Sequence, residues 1–126
     1  MNEMKQLYIA LFLLMSALVM SCGNREAERI MDSAEDVMWT RPDSALTALE
    51  SIDTLALKTK SQRARYSLLY TMALDRNHLT IQDLRVIKPA ASYYENHGSN
   101  DDKMKMYFYL GTAQYDTGDP ESAIAS

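Results

Sequence analysis

Two hydrophobic regimes divide the chain. Residues 7–20 (LYIALFLLMSALVM) form an apolar run without a charge, preceded by Lys5 and ending at Ser21-Cys22. A helix needs about 20 apolar residues to cross a bilayer core, whereas the apolar region of a secretory signal runs to roughly 15, so this run predicts a cleaved export signal. Beyond it the apolar residues recur at three- and four-residue steps, the period of a helix with one buried face. Ile30, Ala34, Val37 and Met38 predict a helix over about residues 25–39. Arg41-Pro42-Asp43 closes it and opens a second, because proline is tolerated at the first helical position and an acid suits the first turn. Ala45, Leu46, Leu49 and Ile52 then share a face. Ser61 is placed to cap a third helix, whose stripe is Arg65, Leu68, Leu69, Met72 and Ala73 and which runs to about Arg76.

Thr80 and Asp83 stand at capping-box spacing ahead of Leu84, Ile87, Ala91 and Tyr94, with Gly98 as a left-handed stop. Pro89 leaves two readings open. It kinks one long helix, or a loop starts near Ile87 and a shorter helix begins at Pro89. The run 99–102 (SNDD) caps a fifth helix reaching about Thr117, and Gly118 ends it. Asp119, Pro120 and Glu121 open a sixth, which reaches the end of the sequence at Ser126 after one or two turns.

One phrase occurs twice. Pro42-Asp43-Ser44-Ala45-Leu46 and Pro120-Glu121-Ser122-Ala123-Ile124 match residue class for residue class at an offset of 78, twice 39, with a helix pair between them. The chain thus reads as three successive helix pairs, at about 25–53, 61–97 and 102–126. In the last pair, Tyr107-Phe108-Tyr109-Leu110-Gly111, then Tyr115, Gly118-Asp119, Ala123 and Ile124, resemble the tetratricopeptide repeat (TPR) signature. Gly111 and Ala123, like Ala45 in the first pair, are small where helices of a pair approach, and Tyr107 and Leu110 fill the adjoining groove. The expected fold is all-α: antiparallel helix pairs stacked as a TPR-like solenoid over residues 22–126, preceded by a helical signal peptide over residues 1–21. Its last pair is expected to be truncated.

Val19-Met20-Ser21-Cys22 resembles the bacterial lipobox. That resemblance implies that Cys22 becomes an acylated N-terminus carrying further chains such as palmitate, since two or more chains anchor stably where one does not. Gly23, where Asp would mark inner-membrane retention in some bacteria, implies the outer membrane. Together with phrases such as RPDSALxALxSID and ALDRN, the chain is similar to the N-terminal portion of TPR-bearing envelope lipoproteins. The resemblance implies a lipid-anchored, non-catalytic scaffold in the cell envelope that binds a protein or peptide. It also implies that the first helix of each pair lines a concave groove, with Lys105, Phe108, Thr112, Tyr115 and Asp116 facing it; the open alternative is that these residues pack against a further repeat. Two other readings stand beside the scaffold, the periplasmic sensory portion of a larger transmembrane regulator and a fragment of a glycan-binding nutrient-uptake lipoprotein.

Composition narrows the chemistry. Thirteen basic against 17 acidic residues leave a net charge of −4, which supplies no field for nucleic acid. The single cysteine cannot close an intrachain disulfide or supply paired thiolates to a metal. His78 and His97 are 19 residues apart, not at the four-residue spacing that puts two ligands on one helix face, and read as exposed helix-end residues. Neither a G-x-S-x-G elbow nor a phosphate-cradling glycine loop occurs, so no catalytic residue, cofactor or metal is expected. Trp39 reads as closing the corner after the first helix rather than as a binding platform.

Overall fold

The structure, a computed structural model, describes residues 2–118, apart from the side chains of residues 16–24. It is all-helical, with no strand among the described residues. The helices are α1 (Asn2–Val37), α2 (Pro42–Glu50), α3 (Lys60–Arg76), α4 (Lys88–Tyr94) and α5 (Asn100–Asp116), with 3-10 turns at Thr54–Ala56 and Leu84–Val86. Each helix packs on its neighbour in sequence, and α1, α3 and α5 also touch in succession. The sixth helix expected from Asp119, including Ala123, lies outside the described residues.

The first helix is longer than its periodicity predicts. Instead of starting near residue 25, α1 runs unbroken for 36 residues from the apolar run into the body of the protein. No proline interrupts it, and one helical glycine, Gly23, costs only about 1 kcal/mol. Its two halves differ. Between Met4 and Met15 the large apolar side chains stand exposed, Leu7 at 67% and Phe12 at 72%, whereas Ala27, Met31, Ala34 and Met38 are buried. The buried stripe therefore centres slightly to one side of the expected one, with Ile30 and Val37 half-buried along its edge. No described helix is long and apolar enough to cross a membrane.

Local chemistry sets most of the remaining boundaries. Pro42 occupies the first turn of α2, and Ala45, Leu49 and Ile52 are buried as the pattern requires. The cap of α3 is Thr59 rather than Ser61: the Thr59 hydroxyl accepts from the Gln62 amide, while the Gln62 side chain accepts from the amides of Lys58 and Thr59. Ser61 lies inside the helix. Of the two readings around Pro89, the shorter helix is the one formed. Asp83 caps the 3-10 turn at Leu84–Val86, Thr80 caps nothing, and α4 begins with Pro89 in its first turn, where the missing N–H leaves no bond unmade. Ser99 and Asp102 form the capping box of α5.

The buried hydroxyl of Ser67 ties α3 to the segment before α4. It donates to the Val86 carbonyl and accepts from the Ala90 amide at 3.3 Å. At the end of α3, Asn77 donates to the Pro42 carbonyl at 2.8 Å and to the Ala73 carbonyl at 2.7 Å, fastening the start of α2 to the end of α3. Three described helix ends need left-handed backbone, and after α5 it is supplied by Gly118, φ +88. Gly98 has φ +86, and a Cβ there would come within 2.9 Å of the Tyr94 ring. After α3 the left-handed residue is His78, φ 58, within a closed Schellman pattern: His78 N–H to the Asp75 carbonyl and Leu79 N–H to the Leu74 carbonyl.

A β-carbon makes left-handed backbone cost roughly 1–2 kcal/mol. His78→Gly is therefore expected to stabilise the protein by about 1 kcal/mol, read as a raised urea midpoint with unchanged slope; an unchanged midpoint would show that the histidine ring compensates.

Candidate functional site

The stripe of α3 carries one charge, Arg65, among Leu68, Leu69, Met72 and Ala73. The helix turns Arg65 toward α1, where acids recur at helical spacing. Its guanidinium donates to Glu28 at 3.0 Å, Asp32 at 2.8 Å and Glu35 at 2.9 Å. Partial burial works against the charge, yet the hydrogen bonds to Glu35 and Asp32 outweigh it and hold Arg65 protonated beyond its usual range. Three carboxylates at successive turns of α1 are thus gathered on one cation of the neighbouring helix.

Beside this cluster opens a cavity of about 340 Å³ between α1, α3 and α5. Leu68, Leu69 and Met72 form its floor, and Glu35, Arg65, Asp102 and Lys105 set charges of both signs on its walls. Tyr94 reaches it from α4 and Trp39 from the corner after α1. Burial pushes the Tyr94 hydroxyl up to about 12, with the charge of Asp102 adding to the effect. Trp39 is 61% exposed, more than a corner-closing residue would be, and Arg76 lies 4.8 Å from the centre of its ring. The combination suits recognition of a peptide: an apolar floor, an exposed indole and four charged side chains. It offers no nucleophile paired with a base.

The five groove residues expected on α5 divide. Lys105 lines the cavity and pairs with Asp101 at 2.9 Å. Phe108 and Tyr115 are exposed on the outer side of α5, at 64% and 69%, and the half-buried Thr112 returns its hydroxyl to the Phe108 carbonyl at 3.2 Å. Asp116 accepts from the Ile81 amide at 3.0 Å, tying the loop before α4 to the end of α5. Only Lys105 of these five reaches the cavity. Of the expected packing residues, Ala45 is fully buried, Leu110 half-buried and Tyr107 46% exposed. A Cβ added to Gly111 meets nothing within 4 Å among the described residues; Ala123, its expected neighbour, lies outside them. The side chain of Cys22 also lies outside, although its backbone is helical. His78 and His97 stand exposed near the ends of α3 and α4, and no group of acids, histidines and cysteines that could hold a metal occurs among the described residues.

Sequence reasoning passed over Glu35, Tyr94 and Asp102 as site residues and placed Arg65 on a buried face without asking what neutralises it. The usable signal was a lone cation within an apolar stripe, matched by Glu28, Asp32 and Glu35 along one side of the preceding helix. No protein-family model matches the chain, and neither does any curated protein or solved structure.

Arg65→Met is expected to lower stability by about 1–2 kcal/mol, because it removes the bonds and leaves three carboxylates side by side. The deficit grows as salt is withdrawn, which urea titrations at two ionic strengths would register. Tyr94 gives a second expectation. An unfolded tyrosine ionises near 10 and the folded one near 12, so folding holds the proton across that interval and the resulting stability is lost as pH rises through it. Tyr94→Phe should flatten the alkaline fall in denaturation midpoint; an identical fall would exclude Tyr94 as its source.

Proposed function

We propose that this chain is a lipid-anchored, non-catalytic scaffold of the cell envelope, built of TPR-like helix pairs, that binds a protein or peptide on the face shared by α1, α3 and α5. The observation that carries this reading is the order of helix packing. Each helix lies on its sequence neighbour while the first, third and fifth helices also meet in succession, which is how stacked hairpins make a continuous surface. That surface holds the cavity with Arg65, Lys105, Glu35 and Asp102 on its walls and Trp39 at its edge. Binding there works by shape and charge pairing, with specificity set by a few side chains.

The anchor rests on the sequence. Residues 7–20 with the lipobox-like Val19-Met20-Ser21-Cys22 assign Cys22 as the acylated residue, with the outer membrane as the site of retention. The exposed apolar half of α1 supports a segment whose surroundings are lipid or the export machinery rather than water.

Cys22→Ala is expected to move the protein from the membrane to the soluble fraction and to abolish incorporation of labelled palmitate. Retained label would overturn the anchor. A photo-reactive phenylalanine analogue at position 39 should cross-link a discrete envelope protein that the same analogue at position 55, outside the cavity, does not. The same products from both positions would overturn the assignment of the face.

A further inference from the structure

Successive residues of a helix are turned by about 100°, so Lys60, Arg63, Tyr66 and Tyr70 lie on the side of α3 opposite Arg65, Leu68, Leu69 and Met72. On that side, two open pockets run into one another. Leu57, Tyr66, Tyr70, Val86 and Pro89 wall one of about 310 Å³, and Lys60, Ser92, Tyr93 and His97 wall one of about 370 Å³. Arg63 and Pro89 belong to both.

We infer that this groove is a second binding site, for an extended acidic peptide segment that places one apolar side chain in the first pocket and its carboxylates at the second. Charge is the first reason. The chain is acidic overall, at −4, yet neither pocket is lined by an acid, and between them they carry Lys60, Arg63 and Arg85. Arg85 is neutralised by Asp83 at 2.7 Å. Lys60 and Arg63 have no ion-pair partner among the described residues, and both are exposed. Arg63 donates to the Leu57 carbonyl at 3.1 Å, a bond that holds its guanidinium at the junction of the pockets without spending its charge.

Polarity along the groove supplies the orientation. Stacked Tyr66 and Tyr70, with ring centres 5.7 Å apart, offer an aromatic wall at one end. Beyond that end stand two acids: Asp83 sits on Arg85, and Glu50 is close enough to act electrostatically on Tyr66. Past the other end, Glu95 lines a neighbouring pocket that shares Ser92, and not the groove itself. At the other end Lys60 and His97, the latter stacked on Tyr93 at 4.7 Å, add donors to that of Arg63 at the junction, and no acid lines this pocket. An extended chain advances about 3.3 Å per residue, so an apolar residue and an acid within a few positions of one another span adjoining pockets.

The test uses the full chain in detergent micelles and a fluorescein-labelled peptide of about seven residues, one Phe flanked by Asp and Glu, followed by fluorescence anisotropy. Comparison peptides replace the acids with Lys or the Phe with Ser. The acidic Phe peptide should bind at least about tenfold more tightly than either, and Lys60→Glu should weaken it about tenfold or more. A glutamate at the first position of α3 suits the positive end of that helix, so the variant is expected to fold. Lys105→Glu, on the other face, should leave the affinity unchanged. Equal affinity for the three peptides or indifference to Lys60→Glu would overturn the proposal, as would a loss confined to Lys105→Glu, which would move the peptide to the α1–α3–α5 cavity.

Discussion

Every other described α-helix packs on α3, so each polar group that α3 turns inward must find its partner there. The structure meets that demand at successive levels along the helix, with the buried Nε of Arg76 at its last residue the exception among the described residues. At its start, Gln62 is buried because its side chain accepts the amides ahead of α3. In the middle, Ser67 takes the segment before α4 and Thr71 returns its hydroxyl to the Ser67 carbonyl at 2.8 Å. Near its end, Asn77 takes the start of α2. Hydrophobic burial brings the helices together without direction, and these bonds fix how they sit.

A helix enclosed in this way still has two sides that no neighbour covers completely, and they differ in character. Toward α1 and α5, charges of both signs are already partly spent on one another, with Arg65 holding Glu28, Asp32 and Glu35. Toward α4 and the segment after α2, Lys60 and Arg63 stand without such partners beside aromatic walls. On the proposed reading, the first side selects by shape and mixed charge while the second attracts one sign of charge. A single helix thus separates two surfaces of different charge.

The chain also joins two hydrophobic patterns in one element. The first half of α1 presents apolar side chains around its exposed surface and the second half buries one stripe, yet no break in the backbone divides them. Helix formation needs only local hydrogen bonds and tolerable propensity, which this stretch has throughout. A change of hydrophobic pattern therefore does not mark the end of a helix, which is why periodicity alone predicts a start near residue 25.

What the sequence by itself determined is whatever depends on neighbours a few residues away. Pro42 starts α2, Ser99 with Asp102 starts α5, and Gly98 supplies left-handed backbone under the Tyr94 ring, all through contacts within one helical turn. Even the misplaced cap of α3 was legible, since Thr59 and Gln62 stand at capping-box spacing and Ser61 does not compete once Gln62 has bound the preceding amides. The all-helical class and the buried stripes around Ala45, Leu49, Leu68 and Met72 followed from period and composition for the same reason. Tertiary structure alone decided which helices meet and hence what each exposed group faces. Asp116 is turned to the Ile81 amide, Lys105 to the cavity, and Arg65 to three acids more than 29 residues before it in sequence. Such pairings depend on distances across the packed helices, and a one-dimensional pattern carries the spacing along a helix but not the rotation of one helix against another.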